Sequence, residues 1–232
     1  MAQLDADQSR EDQNKESVPV ITWTLILLNV LIYIADRRGG LFGPSIVFGD
    51  LSLRAPEVIA ALQGGSDRFP IVTLFTSMFL HGGLMHLFTN VMFLGVFGPP
   101  VEQAVGAWRF PLYYLAWGVF ASACHIYAAP YRNVPTLGAS GAIGGVLGCF
   151  FLLFPSNRII ISLLGWLEWE MRAWLLLGAW FLYQIFVPQE GVATWAHAGG
   201  FLAGMLTVLV IGGRTAILRE HPELIELDDD PS

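Results

Sequence analysis

Residues 138–148 read Gly138-Ala139-Ser140-Gly141-Ala142-Ile143-Gly144-Gly145-Val146-Leu147-Gly148. The run is apolar apart from one hydroxyl. Its glycines recur at four-residue spacing, Gly141 with Gly145 and Gly144 with Gly148, so each pair shares one face of a helix. Small-xxx-small faces of this kind let two helices approach closely in lipid. The preceding Pro135-Thr136-Leu137-Gly138 reads as loop. The helix therefore starts at about Ala139, and Ser140 falls in its first turn. Amides in a first turn lack intrahelical partners and carry partial positive charge, which suits an anion. A serine there can attack a carbonyl while those amides receive the oxyanion. An isolated G-x-S-G is more readily read as an N-cap or a packing residue.

The rest of the chain supplies the setting. Of 232 residues, 54% are hydrophobic and 13% charged, against about 25% charged in soluble domains. The charges crowd into 1–17, 36–68 and 214–232. This is the pattern of an all-α, polytopic integral membrane protein. Six apolar segments are candidate spans: 18–35, 84–105, 110–129, 139–154, 173–187 and 192–211. The fourth and fifth are short, as expected where the bilayer thins or where helix ends sit in a protein-lined cavity.

The domain reading is a tail at 1–17, a helical body at 18–212 with a long first loop at 36–80, and an acidic tail at 213–232. The polar 1–17 and the acidic 220–232 are expected to be disordered, because neither can bury a core. The tail before the first apolar run is acidic, unlike the basic start of a cleavable signal peptide. Glycines and prolines, Pro44 among them, punctuate the first loop. Its apolar end, 71–80, is expected to pack against the membrane surface. Segment 155–172 sets Trp166, Trp169 and Trp174 among Glu168, Glu170 and Arg172, so it reads as interfacial. Cys124 and Cys149 lie in apolar runs and read as small buried hydrophobes. No basic stripe suggests nucleic acid. Seven cations on the side of the tails against five on the other give only a weak orientation bias.

Polar residues in hydrophobic spans are costly and tend to have a function. Here they are His86, Asn90, His125, Ser140 and His197, with Glu102 near a helix end. His197 sits in Thr194-Trp195-Ala196-His197-Ala198-Gly199-Gly200, and Gly200 and Gly204 form another small-residue face. Close approach of that face to the Ser140 helix would bring the two side chains within hydrogen-bond reach. The histidine could then take the serine proton and return it to a leaving amine. His86 and Asn90 share a helix face and offer two donors for an oxyanion hole. His81 does not share that face and reads as loop. His86 and Asn90 also fit a pair gluing two helices. A zinc site is disfavoured, with no H-E-x-x-H and no acidic ligand in the spans. His125 has no motif around it and reads as structural.

Together these motifs resemble the rhomboid family of intramembrane serine proteases. Three match in order: the H-x4-H-x3-N run at His81, His86 and Asn90; the G-x-S-G at 138–141; and A-H-x-x-G-x-x-x-G at 196–204. The resemblance implies Ser140 as nucleophile, His197 as general base, and His86, Asn90 and the Ser140 amide as oxyanion donors. It implies no cofactor, cytoplasmic tails, transmembrane protein substrates, and a mobile gate at span five carrying Trp180 and Phe181. A bacterial inner membrane is the expected location. Two departures stand out. Some members carry an aromatic that packs on the catalytic histidine where this chain has Gly144. Some carry a Trp-Arg pair where this chain has Val72 and Thr73. The competing readings are a non-catalytic relative that binds transmembrane segments, and a small-molecule channel, which lacks the inverted repeat and charged pathway it would need.

Overall fold

The apolar runs fold as helices close to the predicted bounds. In a computed structural model of the chain, the described residues are 18–42, 48–163, 167–187, 189 and 191–228. The tail at 1–17, Pro44, Trp166, and the acidic Asp229 and Asp230 lie outside them. The long helices are α1 (Val20–Asp36), α3 (Leu84–Val105), α4 (Phe110–Ala128), α5 (Ser140–Leu153), α6 (Ala173–Phe186) and α7 (Thr194–Val210). A short α2 (Ala55–Leu62) lies within the first loop. Among the described helices, α3 alone is long and apolar enough by itself to cross a bilayer.

The centre of the fold is α5. Its 14 residues span only about 21 Å at ~1.5 Å per residue, short of a ~30 Å hydrocarbon core. Every residue from 142 to 150 is buried, so protein rather than solvent or lipid surrounds it. The helices around it show the opposite pattern. Met85, Phe88, Met92 and Val96 form an exposed stripe on α3, and Leu202, Leu206 and Leu209 form one on α7. Apolar stripes of this extent are what a soluble protein avoids.

Glycine decides how α5 and α7 meet. A Cβ on Gly200 would overlap the carbonyl oxygen of Gly141, one on Gly204 that of Gly145, and one on Gly148 that of Phe201. The two backbones touch, as the spacing predicts. On the adjoining face, Trp117 of α4 fills the space a side chain at Gly145 would occupy. Cys149, a free and buried thiol, donates across to the Gly204 carbonyl at 3.2 Å.

Glu102 explains how α1 is tied on. The N-cap of α1 is Pro19, which offers no side-chain cap. Glu102, buried on α3, supplies one from 80 residues away. Its Oε1 accepts from the Ile21 amide at 3.0 Å, and its Oε2 accepts from the amide and hydroxyl of Thr22, each at 2.7 Å. A carboxylate on orphan first-turn amides is a charge-assisted cap that also complements the helix dipole.

One expectation needs correction and two gain detail. Segment 155–172 contains an antiparallel hairpin, β1 (Arg158–Leu163) with β2 (Leu167–Arg172), and Ile161 lies opposite Trp169. The fold is mostly helical, consistent with the all-α class, with this one hairpin among the described residues. The described part of the acidic C-terminal segment, which includes Asp228, is folded onto the body. α8 (Gly213–Glu220) turns back 68° from α7, and Leu224 is buried. Asp228 accepts from the Ser156 and Asn157 amides at 2.6 and 2.9 Å and pairs with Arg214 at 2.6 Å. Arg214 also donates to the Leu153 carbonyl at the end of α5, so the tail closes the C-terminus of the central helix. Finally, the stretch Phe69–Phe79 is only partly an outer surface. Met78 is buried against the bare face of Gly118, while Val72 and Phe75 stay exposed.

Two stability tests follow in detergent-solubilised protein. Gly200→Ala sets a methyl against the Gly141 carbonyl oxygen and costs ~3 kcal/mol. In contrast, Gly178→Ala, whose Cβ would lie 3.5 Å from the Phe151 ring, is neutral or gains up to ~1 kcal/mol of helix propensity. Glu102→Ala leaves buried amides of α1 without an acceptor and costs ~2 kcal/mol. Thermal unfolding measures both tests, on Gly200→Ala against Gly178→Ala and on Glu102→Ala.

Candidate active site

Ser140 opens α5, and Ala139 is the N-cap. No side chain caps this helix, so the Ser140 hydroxyl is not spent as a cap. It meets His197 instead: Nε2 of the ring lies 2.8 Å from Oγ. That is nucleophile-to-base reach. The register that seats Gly200 on Gly141 produces this meeting, since Ser140 lies one residue, and His197 three residues, toward the N-termini of the same contact.

The ring of His197 is held on two further sides, both from α6. Nδ1 lies 2.8 Å from Oε1 of Gln184. The Trp180 indole stacks on the imidazole at 5.8 Å between centroids and 28° between planes. Gly144 makes room for this arrangement. A Cβ there would come within 2.8 Å of the His197 carbonyl oxygen and 3.2 Å of the Phe201 amide. An aromatic at 144 would therefore push α7 away rather than pack on the ring. Phe181 stacks on Phe201 at 4.7 Å, so both residues expected at the gate pack on α7.

The loop leading into Ser140 is pinned at several points. Leu53 and Thr136 exchange two backbone hydrogen bonds, at 2.9 and 2.8 Å, and the Gly138 amide donates to Ser77 at 2.9 Å. Gly138 has φ +123°, which demands glycine. The missing side chain also gives His86 its place, because a Cβ there would stand 2.7 Å from that ring. His125, read as structural, lies 3.2 Å from the Thr136 hydroxyl through Nε2 and thus braces the same loop.

His86 is steadied from behind. His81, buried, meets it edge-on at 5.2 Å, and the His81 carbonyl accepts from the buried Arg37 guanidinium at 2.7 Å. Burial, aided by His86, pushes His81 down to about 3, so its ring is neutral. The Gly82 amide points at His86 Nδ1, 3.4 Å away. Asn90 donates one amide hydrogen to the His86 backbone carbonyl at 2.7 Å.

His86, Asn90, His125, Ser140, Trp180 and His197 all line one cavity of about 510 Å³. Among the described residues, no carboxylate lines it, and Arg132 is its only fixed charge. The four residues the sequence singled out therefore share one chamber. A serine hydrogen-bonded to an imidazole, at a helix N-terminus, in a concavity with two further donors, is a layout for acyl transfer. The model of the rhomboid domain matches residues 68–214.

The chain belongs to the rhomboid family.

Its relatives extend the comparison. It is 29% identical over 197 residues to the rhomboid protease GluP of Bacillus subtilis, covering 84% of this chain and 35% of that protein. It is 30% identical over 139 residues to the mitochondrial rhomboid protein 1 of Saccharomyces cerevisiae, covering 58% of this chain and 40% of that one. It is also 29% identical over 160 residues to human inactive rhomboid protein 1, covering 68% and 17%. The chain spans well under half the length of these curated relatives. The rhomboid family thus includes members named as proteases and members named as inactive.

Gln184 is the site residue that sequence reasoning passed over. The available signal was a lone amide within the apolar run 173–187, where polar groups are costly. A direct check on the role of Gly144 is Gly144→Tyr. It is expected to destabilise the fold by ~3 kcal/mol in thermal unfolding, rather than to add a stacking partner for His197.

Proposed function

We propose that this protein is an intramembrane serine endopeptidase that cuts membrane proteins in or near their transmembrane segments. The observation that carries the reading is the 2.8 Å contact between Ser140 Oγ and His197 Nε2 at the mouth of a short, buried helix. In this reading α1, α3, α4, α5, α6 and α7 are the six membrane-embedded helices, with lipid against their exposed apolar stripes. The location is a bacterial cell membrane, a reading to which the Bacillus subtilis relative lends support.

His197 takes the Ser140 proton as Oγ attacks the scissile carbonyl carbon. The carbonyl oxygen becomes an oxyanion, received by the Ser140 amide with His86 and Asn90 as side-chain donors. His197 then gives its proton to the leaving amine. A water, activated by the same imidazole, hydrolyses the acyl-enzyme. The pair is part-buried at the wall of the cavity, and a bound peptide that displaces water there strengthens each electrostatic contact on the oxyanion. The pair needs no cofactor. Substrates are transmembrane proteins whose helices open locally to expose a peptide bond.

A second reading is a non-catalytic binder of transmembrane segments, and the relatives named inactive favour it. One experiment separates the two. Purified protein should cleave a model single-span substrate and be labelled at Ser140 by a fluorophosphonate. Ser140→Ala should abolish labelling and lower cleavage by more than ~10³-fold. Cleavage at an unchanged rate in that variant would sink the protease reading, and wild-type protein that neither cleaves nor labels would favour the binder.

A further inference from the structure

Catalysis by a serine–histidine pair requires one particular tautomer of the histidine. Nε2 must present its lone pair to the serine hydroxyl, so the neutral ring must carry its proton on Nδ1. An imidazole facing nothing on its Nδ1 side is free to hold the proton on either nitrogen. Here that side is not free. Nδ1 of His197 lies 2.8 Å from Oε1 of Gln184, whose side chain is buried. The Gln189 amide approaches the same oxygen as a second donor, at 3.5 Å. An amide carbonyl oxygen can only accept, and the Gln189 contact agrees with an oxygen in that position, so Nδ1 bears the hydrogen.

We infer that Gln184 is a positioning residue that holds His197 in the tautomer able to accept the Ser140 proton. The inference rests on the Ser140–His197 reading above. It adds a third member to the pair, supplied by α6. Three contacts then define the ring: Ser140 at Nε2, Gln184 at Nδ1 and the Trp180 indole on its face. The amide fixes orientation and proton position without placing a formal charge beside the base. The ionisable groups that act on His197 are His86 from α3 and His125 from α4, with Arg132 elsewhere in the cavity wall. None of them can accept the Nδ1 hydrogen as a carboxylate would.

Packing and positioning predict opposite orders for two variants of similar size. Gln184→Met keeps the length and volume but removes the acceptor. Gln184→Glu keeps an acceptor oxygen at the same reach while adding charge to a buried position. Fluorophosphonate labelling of Ser140 and steady-state cleavage, measured across pH on protein of verified thermal stability, read both. Positioning predicts that Q184M labels about ten-fold more slowly or worse, the scale of one lost buried hydrogen bond, and that kcat falls with KM unchanged. It also predicts that Q184E recovers most of that loss. The ascending limb of the Q184E pH–rate profile moves to higher pH, because a carboxylate at Nδ1 favours the protonated ring. Q184M at the wild-type rate, or Q184E impaired as far as Q184M, overturns the inference. Should Q184M fail to fold, an unmoved pH limb in Q184E overturns it. Failure of the protease reading looks different, since Ser140→Ala then changes nothing and the wild type takes no label.

Discussion

The site depends on contact between two backbones. Between helices in lipid there is little hydrophobic drive, and association rests on close packing and hydrogen bonds. α5 and α7 meet that condition by giving up side chains. Gly200 lies on the Gly141 carbonyl and Gly204 on the Gly145 carbonyl. Each glycine costs about 1 kcal/mol of helix propensity relative to alanine, and α5 carries four. That cost is offset because the contact sets register as well as distance. Sliding α7 by one residue would place a side chain against a carbonyl and move His197 away from Ser140. The geometry of the pair is therefore inherited from the fold and does not depend on adaptable loops.

Much of this was legible because apolar length and four-residue spacing are local signals. The runs 84–105 and 110–129 became α3 and α4 almost residue for residue. Signals that need a partner elsewhere in the chain were missed. Glu102 looked like a carboxylate near a helix end, and its partners, Ile21 and Thr22, lie 81 and 80 residues away. The acidic C-terminal segment looked unable to fold by composition. One of its carboxylates, Asp228, finds two amides and Arg214 at the end of α5, and order follows from that. In 155–172 the alternation of Glu168, Trp169, Glu170 and Met171 has the period of a strand. The weight given to tryptophans beside charges hid it.

For the site, the four singled-out residues do share a cavity, but the details differ from the simplest expectation. Asn90 spends one amide hydrogen on the His86 carbonyl, which leaves it one to offer elsewhere. His125, without a motif, braces the loop that delivers Ser140. The deepest omission was Gln184. No spacing rule ties it to His197, thirteen residues on, because the two lie on different helices and meet only where α6 packs on α7.

Gly144 and Gln184 are two sides of one solution. An aromatic on α5 would support the histidine from the same helix that carries the serine, so nucleophile and ring support would move together. Here the closeness of α5 and α7 excludes any side chain at 144, and support passes to α6 through Trp180 and Gln184. α6 is exposed to its surroundings at Leu175, Leu182 and Phe186, and unlike α5 it is not enclosed by other helices. Any displacement of α6 therefore withdraws the stacking face and the Nδ1 acceptor together. The His197 ring keeps both contacts only while α6 is seated, so the position of this outer helix and the orientation of the imidazole facing Ser140 are linked by two contacts on a single ring.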